Sequence, residues 1–237
     1  MSLAREIESI RDSAFQSLDD AHNYYFHSKT AWRVVQHLAN RGTDLSVTNR
    51  STGLTLNGQQ LAHKGQSYVT DYLAKSTLQD FVAIFEQFLF EFLTQWLSAY
   101  PQMLAKKELS FELVLNSVDR QAIIKSVVEK HLLELAYSRL PKWFSYMEDR
   151  VKLGCPSSDE IERLSEIKAT RDVFVHAGGI ANEVYVDKSM GRARVASGEQ
   201  LTIPDTYHRE SWELIRKVVT KISGRAIAKT SPTTSTT

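Results

Sequence analysis

The chain has 237 residues, with 29 Lys and Arg against 28 Asp and Glu and a formal net charge of +1. Its 42% hydrophobic and 24% charged residues are ordinary for a globular protein, which excludes low-complexity, collagen-like and acidic disordered chains. The balanced charge argues against an indiscriminate basic coat for nucleic acid, and the single cysteine, Cys155, excludes a disulfide framework, a cysteine zinc site and a CxxC pair.

In chain order, residues 3–40 hold neither Gly nor Pro and end at Arg41-Gly42, which predicts a long first helix. Between Thr43 and Gly58, Leu45-Ser-Val-Thr and Leu54-Thr-Leu alternate around Asn49-Arg-Ser-Thr-Gly53, the pattern of a small hairpin or ordered loop. A Phe- and Leu-rich helix is expected over 67–99, closed by Pro101. A third is expected over 117–138 and a short one over 141–152, broken by Gly154-Cys-Pro156. Ser157 and Glu160 then form an S-x-x-E capping box that starts a helix running to His176 and stopping at Ala177-Gly178-Gly179. Residues 180–188 add a turn, 192–204 read as extended, and a last helix spans Asp205 to Ala228. The fold class is all-α, a helical bundle with a small hairpin, in one domain over 1–228. Residues 229–237 form a polar, disordered tail.

The N-terminal residues carry charges where a signal peptide needs its apolar core. The most apolar stretch, Phe81 to Leu93, is interrupted by Glu86 and Glu91 and is too short to cross a bilayer. A soluble cytoplasmic protein without membrane contact is the expectation. HExxH, GxxxxGK[ST], GxGxxG and GxSxG are all absent from the sequence. His131 and Glu134 share a helical face but do not make a metal site, so no metal or cofactor is expected. The Asn49-Arg-Ser51 sequon carries little weight beside that reading.

The predicted helix over 158–176 does not fit a bland reading. At about 100° per residue, Leu164, Val175, Ile167, Phe174 and Ile161 all fall within about 80° of Arg171. A guanidinium in the middle of an apolar stripe must be paired or aimed into a polar cleft, and a cleft is the expectation here. Asp172 and His176 lie at i and i+4 on an adjacent face. There the carboxylate and the helix C-terminus both favour a protonated imidazole that can donate a proton near neutral pH.

The segment Arg171-Asp-Val-Phe-Val-His176 resembles the R-x4-6-H motif of the HEPN superfamily. So does its context: a helical chain with the motif late in sequence, then Gly178-Gly179-Ile-Ala-Asn182 and Tyr185, an extended piece and a last helix. The acidic, aromatic Phe85-Glu86-Gln-Phe88 fits as well. The likeness covers most of residues 60–228, and it departs where Asp172 follows the arginine in place of the commoner Asn. The resemblance implies a helical homodimer that brings two motifs together at its two-fold axis. It also implies a metal-independent endoribonuclease, in some members a toxin paired with an antitoxin protein or a phage-defence effector. Arg171 would hold the scissile phosphate, His176 would move protons, and Asp172 would support them. RNA would be left with 2′,3′-cyclic phosphate and 5′-OH ends. A catalytically inactive HEPN-like module that binds nucleic acid, nucleotide or a protein is the alternative. An unrelated helical interaction protein with a structural Arg171 is a second.

Glu86 sits within the apolar face of its helix, near Val82, Leu93 and Leu97, and is the candidate partner for Arg171; Glu91 points away. In the last helix Lys217, Lys221, Arg225 and Lys229 repeat every four residues. That basic stripe could track an RNA backbone, although a solvated face is the default. Trp32, Trp96, Trp143 and Trp212 read as core residues rather than base-stacking platforms.

Overall fold

The computed structural model describes residues 2–104 and 111–230. It is mostly helical, with one small two-stranded antiparallel sheet. Helix α1 (Leu3–Asn40) buries Ile7, Ala14, Leu18 and Tyr25, all on one helical stripe. Gly42 follows in the left-handed region (φ +76°), which an L side chain rarely adopts. Strands β1 (Ser46–Thr48) and β2 (Thr55–Asn57) then pair Ser46 with Asn57 and Thr48 with Thr55. At the turn the Asn49 side chain accepts the Ser51 backbone N–H, and the Asn49 N–H donates to the Leu54 carbonyl, so the sequon is a hairpin turn.

Helix α2 (Gly58–Ser67) starts on a capping box of Asn57 and Gln60 and continues through a π-helical turn, Tyr68–Leu73, into α3 (Ala74–Ala99). The helix expected over 67–99 therefore begins nine residues earlier, because the box at Asn57 lacks the Ser/Thr-to-Glu form that marks a start most plainly. After a 3-10 turn at Pro101–Leu104 come α4 (Phe111–Asn116), unforeseen in the sequence, and α5 (Arg120–Ala136). Helix α5 starts later than expected because the Asp119 carboxylate accepts the Ala122 N–H as its N-cap. Helix α6 (Leu140–Val151) has Pro141 in its first turn and ends at Lys152 in the left-handed region. Helix α7 (Ser158–His176) starts on the Ser157–Glu160 box, and α8 (Glu183–Lys188) on the Asn182 side chain.

Residues 192–204 form no strand, contrary to their extended reading; bends and turns are tied down by one bridge, Ile180 to Gln200. Helix α9 (Asp205–Thr230) runs past Ala228, so Lys229 and Thr230 are helical, and the remainder of the expected tail lies outside the described residues.

The core is a cluster drawn from α1, α3, α5, α6, α7 and α9, with Phe81, Phe85, Phe88 and Phe92 of α3 at its centre. Helix α1 packs along α2, α3 and α9, and α7 lies between α3, α6, α8 and α9. Of the four tryptophans, Trp96 and Trp143 are buried, while Trp32 and Trp212 are half-buried against the core. A second cluster of Ala169, Val173, Ala181, Tyr185 and Leu201 seats α8 and the following loop on α7. These two contacts place the C-terminal half of α7 at the edge of the bundle.

Candidate functional site

Helix α7 is buried on more sides than its apolar stripe suggests. Leu164 and Ile167 on the stripe are buried, but so are Ser165, Glu166, Ala169, Thr170 and Val173 on other faces, while Val175 is 47% exposed. The helix sits between neighbours, so small and polar residues are covered as well as the stripe.

In the C-terminal half, Arg171, Lys168 and Asp172 share a partly open sector facing Glu86 of α3. The Arg171 Nη2 donates to Glu86 Oε1 at 2.7 Å, and Lys168 Nζ lies 2.8 Å from the same oxygen. Asp172 faces three cations, at longer range: Arg171 Nε at 3.2 Å, Lys188 Nζ of α8 at 3.4 Å and Lys168 Nζ at 3.8 Å. The Arg171 Nε is buried without a hydrogen-bond partner among the described residues, and its 3.2 Å approach to Asp172 is an ion pair only. Lys168 lies over the Trp143 ring, 5.5 Å from its centroid.

Glu86 thus meets Arg171 as the sequence suggested, and the guanidinium is paired rather than aimed into an open cleft; its side chain is 19% exposed. The network sets three cations against two carboxylates, so one positive charge is left uncompensated. His176, the last residue of α7, is exposed and has no hydrogen bond or ion pair among the described residues. Asp172 does not orient it: among the described residues that carboxylate makes its contacts with Arg171, Lys168 and Lys188, at 3.2–3.8 Å, and none with His176.

Beside the network lies a cavity of about 220 Å³ between the α5–α6 turn, α7 and α8. Lys168, Asp172, Lys188, Arg139 and Asp187 give its lining charge, Ser138 and Ser165 add hydroxyls, and Tyr137, Leu140, Pro141, Ala169 and Met190 supply apolar surface. Arg139 donates to Asp187 at 2.6 Å.

The basic stripe of α9 is engaged within the chain. Lys221 and Lys217 lie 2.6 and 3.0 Å from Glu160 Oε1, Arg225 donates to the Leu153 and Gly154 carbonyls, and Lys229 to the Val151 carbonyl. These side chains clasp the α6–α7 connection. Burial alone would raise the Glu160 carboxyl, but Lys221, the Ser157 N–H and Lys217 together lower it to about 2.

One constellation went unread in the sequence. Buried Glu166 accepts from Thr170 Oγ1 (2.6 Å), Tyr185 (3.0 Å), Tyr207 (2.8 Å) and Arg194 Nε (2.9 Å). The Arg194 guanidinium stacks 3.7 Å from the Tyr207 ring centroid. Burial first, and then the Glu166 charge, push the Tyr207 hydroxyl well above its usual range. Glu166 and Thr170 at i and i+4 were a visible signal; Arg194, on an irregular loop, gave none. The network pins that loop to α7 and α9.

The His131–Glu134 pair is separated by 3.9 Å. Among the described residues no group of three or more His, Cys, Asp or Glu is arranged to hold a metal ion, and no helix is long and apolar enough to cross a membrane. No family model, curated protein or solved structure matches this chain.

Proposed function

We propose that the protein is a metal-independent endoribonuclease of HEPN type. It acts as a homodimer in the cytoplasm on RNA, in the manner of a toxin with its antitoxin or a phage-defence effector. The observation that carries the reading is the layout of α7: a half-buried charge network with one cation in excess, and an exposed, unpaired His176 five residues after Arg171. The excess charge favours a phosphodiester near Arg171. Its guanidinium would stabilise the charge that grows on the phosphate oxygens as the 2′-OH attacks. His176 would take the 2′-OH proton or give one to the departing 5′-oxygen, and a second copy would supply the other task. The products are a 2′,3′-cyclic phosphate and a 5′-OH.

A second reading has an observation of its own. The Arg171 Nη2 donor is already spent on Glu86 in the single chain, as in an inactive module whose arginine is structural. Incubating the purified protein with mixed RNAs in EDTA separates the two. Cleavage to cyclic-phosphate ends that is lost in Arg171→Ala and His176→Ala supports the ribonuclease. Intact RNA, or cleavage unchanged in both variants, rejects it.

A further inference from the structure

The cavity beside Asp172 has a polar wall of unusual order. Lys188 Nζ stands 3.4 Å from Asp172 Oδ2, so one donor sits next to two carboxylate oxygens. Among the described residues the Asp172 side-chain oxygens make no ion pair shorter than 3.2 Å, although charge-assisted N–H···O bonds normally close to about 2.7–2.9 Å. This carboxylate is therefore balanced electrostatically but lightly hydrogen-bonded, with lone pairs left for a better donor. Lys188 is the most exposed cation of the network and has no shorter partner than Asp172. The rest of the lining mixes the apolar Leu140, Pro141, Ala169 and Met190 with Ser138, Ser165, Lys168 and the Arg139–Asp187 pair, whose charges are turned on each other, and Tyr137, 86% exposed, offers a ring face. Met190, also on the wall, holds a left-handed backbone (φ +54°) that L residues other than Gly adopt rarely, a strain that tends to collect at binding sites.

We propose that this cavity binds a guanine base, with Lys188 donating to O6 and the Asp172 carboxylate accepting N1–H and the N2 amino group while the ring stacks on Tyr137. The donor–acceptor–acceptor order of the wall complements the acceptor–donor–donor order of the guanine Watson–Crick edge. Uracil has acceptors on both sides of its N–H, adenine pairs a donor with an acceptor, and cytosine runs in the opposite sense. Unstacked RNA bases are read in this way, by ring stacking and by hydrogen bonds to that edge. The pocket shares Lys168 and Asp172 with the cluster that holds Arg171, so a base seated there places its backbone along α7. Its role as an RNA subsite rests on the ribonuclease reading; the binding of the base itself does not.

Titration calorimetry with guanosine, inosine and adenosine 5′-monophosphates tests the pocket without any cleavage. GMP should bind about tenfold or more tightly than IMP, which lacks the N2 amino group, and than AMP, since each hydrogen bond to a charged group is worth roughly that factor. Asp172→Asn should erase the preference for GMP over IMP, and Lys188→Met should reduce the preference over AMP by the O6 share of it, about tenfold. Tyr137→Ala, at an exposed site that leaves the fold intact, should weaken all three several-fold. Equal affinity for the three nucleotides, no binding at millimolar concentration, or a preference unchanged in both Asp172→Asn and Lys188→Met would overturn the proposal. A protein that cuts RNA but ignores guanine loses the pocket and keeps the ribonuclease; one that prefers guanine but cuts nothing does the reverse.

Discussion

Arg171 is half-buried and paired while His176 on the same helix is exposed, and that decides what each substitution costs. His176→Ala removes an exposed side chain without partners, so stability should move by no more than about 1 kcal/mol in urea melts. Cleavage should fall about a hundredfold to ten-thousandfold, the usual worth of positioned proton transfer. Arg171→Ala should destabilise by about 1.5–3 kcal/mol, the worth of one hydrogen bond between charged groups. Glu86 keeps Lys168 at 2.8 Å, so the carboxylate is not stranded. A second titratable group acts far from this site. His208 of α9 is buried against Tyr25 and Phe81, with its Nε2 2.7 Å from Thr77 Oγ1, and burial lowers it to about 3. The unfolded chain takes up this proton near pH 6.5 while the folded chain refuses it until about pH 3. Folding stability should therefore fall by up to about 1.4 kcal/mol per pH unit below 6.5, and not change on this account above it. Glu160 adds its own loss only below about pH 4.5, as acid removes a carboxylate that the fold holds at about 2. Urea melts between pH 7 and 5 read His208 together with its neighbour His22, which burial also lowers, so His208→Gln should reduce the slope; an unchanged slope would place its origin elsewhere.

At the scale of elements, tertiary contacts overturn two rules of helix chemistry. Alanine for glycine inside a helix normally gains about 1 kcal/mol. Gly65 of α2, however, lies under the indole of Trp32, and a Cβ there would meet a ring carbon at 2.2 Å. Gly65→Ala should cost about 1–3 kcal/mol in thermal melts, the price of an overpacked contact. Lysines at four-residue spacing normally face water, yet Lys217 and Lys221 bind a Glu160 that is only 2% exposed. Glu160→Ala should cost about 2–3 kcal/mol, since it removes the capping-box carboxylate together with both ion pairs. Lys217→Ala, at a 57% exposed side chain, should cost under about 1 kcal/mol. Neither Lys217→Ala nor Lys221→Ala should change the salt dependence of RNA binding, measured by filter retention, because both charges are paired with Glu160. The same contacts mark the limit of legibility. The Ser157–Glu160 start of α7 was readable because both partners lie three residues apart in sequence; the lysines that complete Glu160's surroundings arrive from α9, some sixty residues on. The α1 boundaries, the hairpin and the Glu86–Arg171 meeting were likewise readable from local pattern and face angle. Helix α4, the start of α2 and the Arg194 clasp were not, since none carries a strong local signal.

For the whole molecule, the site in one chain is incomplete for the chemistry proposed. A single imidazole per chain must serve as base and then as acid, and the described residues around His176 offer no second proton carrier in contact with it. Near that histidine in sequence three apolar side chains are exposed, Val175 47%, Ile180 43% and Val184 57%, on the end of α7, its following turn and α8, beside the exposed Asn182 and Glu183. A two-fold axis through this patch would bury the three side chains against their own copies and bring two His176 rings towards each other, since a symmetric interface uses the same patch twice. Face angles alone did not give this surface, because Val175 was counted with the core-facing stripe. Val184→Glu tests it without touching the charge network. Two glutamates facing each other across the axis should drive the dimer to monomer in light scattering at micromolar concentration. The substitution is at an exposed site of a short helix, so the melting of the monomer should shift by no more than about 1 kcal/mol. Cleavage should fall with the dimer and recover at higher protein concentration, as an activity that depends on two copies must. A wild-type protein that is monomeric and still cleaves RNA would sink the two-copy mechanism and leave His176 to carry both proton transfers alone.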